Sequence, residues 1–345
     1  MIKYFPTTIL LNFTVTVEYL EMFYFLYFCA LNLRIVIIHN DINNLNIVNP
    51  VLTIGVFDGV HQGHLSILNR LKLLAKEKNG ESVVLTLWPH PRIVLNKNIE
   101  TLRLLNNIEE KKYLLSKTGI DHLIILPFTK EFSQLTACEF IEDYLVKKIH
   151  VKHLVVGYNH QFGKDRKAGF EFLKECSEKF DFDIEKLDAK LVENDKVSST
   201  KIRNFLIDGK LETANNYLGY EYFISGNVVE GNKIGRTIGF PTANIQIPEP
   251  YKQVPCDGVY AVRVQLNDES YFGMLNIGTR PTIESSVLTK NMEVHIFNFE
   301  KKIYNQSITV SFVQRIRDEK KFASIDELRQ QLERDKFKIG SLFGL

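Results

Sequence analysis

Short apolar runs alternate with stretches of helical periodicity through the first half of this chain, and that alternation constrains its fold more than any other feature. Val51 to Phe57 reads as a buried strand, and His64 to Lys78 then sets Leu65, Leu68, Leu71 and Ala75 on one helical face before Gly80 ends it. Ser82 to Leu87 is a strand again, which completes a βαβ unit. The pattern continues through a helix around Glu109 to Lys117, a strand at His122 to Leu126, a helix from Cys138 to Ile149 and a strand at His153 to Val156. It predicts an α/β domain, a parallel sheet covered by helices on both faces, with a ligand site off the carboxyl ends of the strands.

After Tyr217-Leu218-Gly219 the character changes. Tyr222 to Ile224, Gly258 to Gln265, Tyr271 to Ile277, Met292 to Phe299 and Ser307 to Arg315 are β-prone runs separated by Gly, Asn, Asp and Pro turns. They predict an antiparallel sheet or closed barrel. A last helix is expected at Ile325 to Leu332, with Ser324 as its cap and Glu327 at the capping-box position. At 345 residues the chain is long enough for two domains. The expected division is a leader over 1–32, an α/β domain over 33–218 and a β domain over 219–345, the last two separable.

The leader is aromatic and apolar, but Glu18 and Glu21 interrupt it, and Met22 to Leu31 falls short of the ~20 residues that span a bilayer. Only Lys3 could form a basic n-region, and no small-residue cleavage site follows, so a secretory signal is not supported. Disorder or a mis-assigned start is the expectation, with deletion of residues before Leu31 leaving stability and activity unchanged. Forty-three Lys and Arg against 41 Asp and Glu give none of the charge excess of a nucleic-acid or anionic-membrane binder, which leaves small molecules as the expected partners. Cys29, Cys138, Cys176 and Cys256 are scattered with no C-x-x-C pair, unlike a disulfide framework or a zinc site, and fit a reducing cytoplasm.

The chemistry-bearing stretch of the first half is Thr53 to His64, T-I-G-V-F-D-G-V-H-Q-G-H. A metal site, a packed turn and a phosphate site compete for it. Gly55 permits close backbone approach, and a helix starting near Gly63 offers unpaired N–H groups and a positive dipole end, which together favour phosphate. His61 and His64 would be donors to that phosphate. Trp88-Pro89-His90-Pro91, Gly157 to Gly163 and Val197 to Arg203 fall at other strand ends or helix starts where such a site would gather. Ser199 and Thr200 read as helix caps, and His90 as either a turn residue or a ligand contact. Lys201 and Arg203 in a first helical turn oppose the dipole unless an anion is present.

These motifs resemble the prokaryotic bifunctional riboflavin kinase/FAD synthetase family, whose first domain carries G-x-F-D-G-x-H-x-G-H, here Gly55 to His64, and S-S-T-x-I-R, here ending at Arg203. The second half carries the matching G-F-P-T-A-N, within Gly235 to Asn244, and Gly273 to Thr282. The resemblance runs from about Leu33 to the C-terminus. It implies a Rossmann-like FMN adenylyltransferase domain with a parallel sheet, followed by a riboflavin-kinase barrel with a terminal helix. Catalytic roles then fall to His61, His64 and Arg203 in the first site and to Glu293 as general base in the second. ATP or flavin contacts fall to Gly55, Phe57, Asp58, His90, Asn159, Phe162, Arg166, Ser199, Thr200, Gly235, Phe240 and Asn276. Thr242 and Asn244 offer hard oxygens suited to Mg²⁺. Riboflavin, FMN, FAD and ATP are the implied partners, with no nucleic acid and no membrane.

One position departs from the family: Asn159 stands where Asp is usual. The rivals to this reading are a nucleotidyltransferase for another phosphate ester, a riboflavin kinase with an impaired adenylyltransferase site, and a non-catalytic flavin-binding regulator. His295 shares the face of Glu293 and reads as structural, and Arg315 to Lys321 as a solvated charged segment.

Overall fold

The computed structural model describes residues 35–95, 101–158, 169–192, 195–231, 234–282 and 285–345. The leader, Asn159, Phe162 and Arg166 lie outside the described residues. The first half contains β1 (Ile37–His39), β2 (Val51–Ile54), α1 (Gln62–Glu77), β3 (Ser82–Trp88), α2 (Ile108–Ser116), β4 (His122–Pro127), β5 (His153–Gly157), α3 (Phe170–Phe180) and β6 (Asp183–Leu187). The strands form one sheet in the order β1-β4-β3-β2-β5-β6, parallel throughout. Period-two alternation explains its two covered faces. Leu52, Leu85 and Leu154 join a core with Ile141, Leu145 and Leu173, while Val51, Val84 and Val155 join another with Leu68 and Leu71 of α1.

Three differences from the expected elements have physical causes. β2 ends at Ile54 rather than Phe57, because Phe57 takes a left-handed φ of 50° and tucks its ring inward. The expected helix from Cys138 is a short α-turn over Ala137–Phe140, capped by Thr136 and Glu139, that widens into a π-turn over Ile141–Val146 with Lys147 N–H bonded to Glu142 C=O. β1, α3 and β6 extend the alternation beyond the expected strands and helices.

A small hairpin, β7 (Leu191–Val192) and β8 (Asp195–Lys196), leads to α4 (Ser199–Ile207) and α5 (Leu211–Leu218), which ends at Gly219 with φ 84°. The second half is a closed barrel of β9 (Phe223–Val229), β10 (Ala243–Gln246), β11 (Gly258–Leu266), β12 (Glu269–Thr282), β13 (Ser285–Ile296) and β14 (Ser307–Arg317), in the order β10-β13-β12-β11-β14-β9. The terminal helix α6 (Ile325–Phe343) outruns its expected end at Leu332: the polar stretch that hides it still buries Ile339, and Asp335 takes a two-pronged ion pair from Arg317 of β14.

The core does not stop where the fold class changes. Ile202, Leu206, Leu211, Ala214, Tyr217 and Leu218 of α4 and α5 are buried in one cluster with Ile224, Tyr260, Val262 and Phe312 of the barrel. The segment 251–253 also pairs with the loop before α2, through Leu104 N–H to Tyr251 C=O at 2.7 Å and Gln253 N–H to Leu104 C=O at 2.8 Å. Lys252 and Glu110 form an ion pair there with both side chains all but inaccessible. A fragment beginning at Tyr220 would therefore expose apolar surface and leave a buried cation without its partner.

Candidate active sites

The first site is a cleft of about 420 Å³ at the carboxyl ends of β2, β3 and β5, lined by Asp58, His61, His64, His90, Tyr158, Ser199, Thr200 and Arg203 among others. This is the switch point of the sheet, where the chain goes from β2 to β3 on one side while β5 lies on the other. His61 caps α1: its Nδ1 accepts the His64 backbone N–H at 3.3 Å, which puts the proton of the neutral ring on Nε2. The two imidazoles stack with centroids 3.7 Å apart, and Phe57 meets His64 edge-on at 5.1 Å. Burial lowers the His61 pKa to about 4, and burial followed by the neighbouring His61 holds His64 well below the ordinary value. Both rings are thus neutral near pH 7. His64 Nδ1 is buried with no hydrogen-bond partner among the described residues.

Asp58 faces inward. Its Oδ1 accepts from the Leu105 and Asn106 backbone N–H groups at 2.8 and 3.3 Å, and its Oδ2 accepts from Arg203 Nη1 at 2.7 Å. Burial pushes the Asp58 pKa up, with the Arg203 guanidinium opposing it. Arg203 also donates to Thr200 Oγ1 at 3.1 Å. The cap of α4 is Ser198 rather than Ser199 or Thr200; Ser199 Oγ donates instead to the Asp58 carbonyl at 2.8 Å. Lys201, in the first turn, is paired with Asp195, and Arg203, which the structure places in the second turn, with Asp58, so both cations have acidic partners in the protein itself. That removes the need for a bound anion to explain their position. His90 caps a short turn by accepting the Arg92 N–H at 3.1 Å and still faces the cleft. Gly55 sits under the Phe57 ring, where a Cβ would come within 3.0 Å of it.

The second site is built by strand register. On β13, Glu293 lies directly opposite Asn244 of β10 on one side and Asn276 of β12 on the other. Thr242 Oγ1 donates to Glu293 Oε2 at 3.4 Å, and Asn291 Nδ2 to Oε1 at 2.6 Å. Gly235 receives the turn: a Cβ there would collide with the Phe240 carbonyl. Phe240 is buried against His295, whose Nδ1 lies 2.8 Å from the Pro241 carbonyl, so His295 braces the motif from the inside. An adjoining cleft of about 280 Å³ is lined by Arg236, Thr242, Ile296, Ile303 and Tyr304. The Arg315–Lys321 segment is solvated only in its second part: 318–321 are exposed, with Glu319 beside Gly278, while Arg315 donates to the Asp257 carbonyl at 2.9 Å and Arg317 holds Asp335.

Sequence reasoning missed several residues at these sites. Gly231 lies against the Asn244 amide, and any Cβ there would collide with it. Ile303 and Tyr304 line the second cleft without belonging to a spaced motif, and Arg236, inside the Gly235–Asn244 run, lines it without having been singled out. Leu105 and Asn106 reach Asp58 through backbone groups, which leave no signature in residue type.

Comparison with known proteins gives a consistent picture. Residues 45–201 match the family model described as FAD synthetase, and residues 218–343 the one described as riboflavin kinase. A bifunctional riboflavin kinase/FMN adenylyltransferase of Haemophilus influenzae is 42% identical over 286 residues, covering 82% of this chain and 91% of that protein. One of Listeria monocytogenes is 38% identical over 288 residues, covering 84% of this chain and 90% of that protein. A crystal structure described as a macrolide-efflux protein of Streptococcus pneumoniae aligns with a TM-score of 0.78 at 32% identity, covering 88% of this chain and 97% of that one. Among the described residues here, no helix is long and apolar enough to cross a membrane.

Proposed function

Since this chain belongs to the bifunctional riboflavin kinase/FMN adenylyltransferase family, we propose that it makes FAD from riboflavin in two steps at two sites, each step using one ATP. The barrel transfers the γ-phosphoryl group of ATP to the ribityl 5′-hydroxyl, giving FMN and ADP. The α/β domain then joins FMN to the adenylyl group of a second ATP, giving FAD and pyrophosphate. The observation that carries this reading is that one chain assembles both constellations: Thr242, Asn244, Asn276 and Glu293 on neighbouring strands, and stacked His61 and His64 at a helix N-terminus.

In the barrel, Glu293 accepts the proton of the attacking hydroxyl. Thr242 and Asn291 already hold its two oxygens, which fixes the carboxylate while leaving it able to accept. Thr242 and Asn244 fit a hard cation: both present neutral oxygens, and Gly231 clears space for the Asn244 amide. Mg²⁺ held there would neutralise the phosphates of ATP.

In the α/β domain, a phosphate oxygen of FMN attacks the α-phosphorus and the bond to the β-phosphate oxygen breaks, releasing pyrophosphate without a covalent enzyme intermediate. Negative charge builds on the α-phosphate oxygens. Neutral His61 and His64 and the free N–H groups at the start of α1 stabilise that charge as preorganised donors. Arg203 adds positive charge, tempered by Asp58. The scattered cysteines, with Cys138, Cys176 and Cys256 as free thiols, fit a cytoplasmic enzyme.

The test is incubation of the protein with riboflavin, ATP and Mg²⁺, with chromatographic separation of the flavins. Riboflavin should pass to FMN and then FAD, with pyrophosphate released in step with FAD. Absence of phosphorylated flavin would remove the kinase assignment, and arrest at FMN would leave only that assignment standing.

A further inference from the structure

The turn that presents His61 has few hydrogen bonds of its own. Phe57, Gly59 and Val60 have φ values of 50°, 90° and 36°, and the bond closing it, Val60 N–H to Phe57 C=O, is long at 3.4 Å. Two non-glycine residues in the left-handed region are costly and persist only when the surroundings over-determine them. The surroundings do so through its carbonyls. Thr86 Oγ1 donates to Val56 C=O at 3.3 Å, Ser199 Oγ to Asp58 C=O at 2.8 Å and Tyr220 Oη to Gly59 C=O at 2.7 Å.

Of these three donors, Tyr220 comes from the part of the chain matched as riboflavin kinase. It follows directly on Gly219, the left-handed cap of α5, and its ring packs against Phe223 at the start of the barrel with centroids 6.0 Å apart. A second tie runs in parallel. Lys252 Nζ donates to the Leu105 carbonyl at 2.6 Å and to the Phe223 carbonyl at 3.0 Å, and the Leu105 N–H in turn holds the Asp58 carboxylate that anchors Arg203. The Tyr222 hydroxyl donates to the Gln253 carbonyl at 2.5 Å and reaches Leu105 C=O at 3.2 Å, closing the same knot. The turn that carries the histidines is thus gripped directly at Gly59 by Tyr220, and at Asp58 by the Leu105 peptide, whose carbonyl Lys252 holds in turn.

We propose that Tyr220 is a positioning residue for adenylyl transfer: its hydroxyl, contributed by the kinase half, holds the Gly59 carbonyl and so sets His61 at the α1 cap in register with His64. The inference rests on the reading of the His61–His64 cleft as the adenylyl-transfer site. It makes that site a composite of both halves, with Lys252 acting on Asp58 and Arg203 through the Leu105 peptide. The kinase site has no matching dependence, because Glu293, Asn244 and Asn276 are held by the pairing of β10, β12 and β13.

The experiment is Tyr220→Phe in the full chain, which keeps the ring and its packing and removes only the hydroxyl. FMN formation and FAD formation are measured separately, the second with FMN and ATP supplied. The expected result is a fall of about tenfold in kcat for FAD formation, a partial misplacement on a scale where a 1 Å shift of a catalytic group can cost ~10²-fold. KM for FMN and ATP should stay within about twofold, as should every parameter of riboflavin phosphorylation. FAD formation with unchanged kcat would overturn the proposal, and so would an equal loss of both activities, which marks a general structural role. His64→Ala, assayed alongside, separates the two levels of the argument. If it leaves FAD formation intact, the cleft itself has been misassigned; if it abolishes FAD formation while Tyr220→Phe is normal, the cleft stands and the positioning role falls.

Discussion

The two candidate sites hold their side chains in opposite ways. In the barrel, Glu293 is fixed by strand register, and its neighbours Asn244 and Asn276 come from strands hydrogen-bonded to its own. In the α/β domain, the histidines sit on a turn whose geometry depends on side chains from sequence-distant places, Thr86, Ser199, Arg203 and Tyr220, and on a loop, 104–106, that is itself paired with 251–253. A site on a ladder is self-contained, whereas a site on a turn borrows rigidity from whatever packs behind it. Here part of that support, Tyr220 directly and 251–253 through the 104–106 loop, comes from the other half of the chain, so the two halves are not mechanically independent.

The sharpest way to break the comparison is at the ladder. Replacing Glu293 by Ala should lower the rate of FMN formation by about 10²–10⁴-fold, the usual reach of a general base, while supplied FMN is still converted to FAD at the normal rate. An unchanged kinase rate would show that the ladder holds something other than the base. The next test addresses the borrowed rigidity. Lys252→Met leaves Glu110 buried without its cation and should cost about 3–5 kcal/mol of stability, read by denaturant unfolding. A loss below about 1 kcal/mol, typical of exposed pairs, would mean that the halves are less tightly joined than the Lys252–Glu110 pair implies.

The histidine site also predicts a pH dependence. His61 has an ordinary value of 6.5 that burial lowers to about 4 in the folded chain. Between those values the unfolded chain binds a proton that the folded one refuses, so stability falls as pH drops through the window, by about 3 kcal/mol in total from this residue. Above pH 6.5 both states are neutral and the contribution is complete. His64, shifted further the same way, steepens the loss, and His295 in the barrel, lowered by burial, adds to it. Denaturant midpoints at pH 7.5 and 4.5 for the parent chain and His61→Gln check this: the variant should lose part of the acid sensitivity.

Much of the fold was legible in the sequence because apolar periodicity reports burial directly, as in β2, α1 and β3, where Leu52, Leu68, Leu71 and Leu85 are fully buried. What was not legible depends on partners. No strand is expected from the sequence at Ala243–Gln246, whose first two residues end the G-F-P-T-A-N motif; it is a strand paired with β9 and β13. The run from Ile141, expected as part of a continuous helix, forms a π-turn that buries Ile141 and Leu145. At the site, the motifs pointed to His61, His64 and Glu293, but the engagement of Lys201 by Asp195 and of Arg203 by Asp58 requires knowing which loops meet. Tyr220 carries no motif at all; only its contact with Gly59 singles it out.

The smallest expected effect concerns Asn159, which lies outside the described residues. Asn retains one carbonyl acceptor in place of the family's usual carboxylate, so Asn159→Asp should change the adenylyl-transfer rate by less than about tenfold, or ~1.4 kcal/mol of barrier. A gain of a hundredfold would instead mark this chain as chiefly a riboflavin kinase.

The central claim, two chemically separate sites for two successive steps, is tested most directly by mixing variants. His64→Ala alone should convert riboflavin to FMN and stop, and Glu293→Ala alone should leave riboflavin untouched. An equimolar mixture supplied with riboflavin, ATP and Mg²⁺ should make FAD, because FMN released by the first protein is adenylylated by the second. A mixture that makes no more FAD than either protein alone, with each variant folded, would contradict the account.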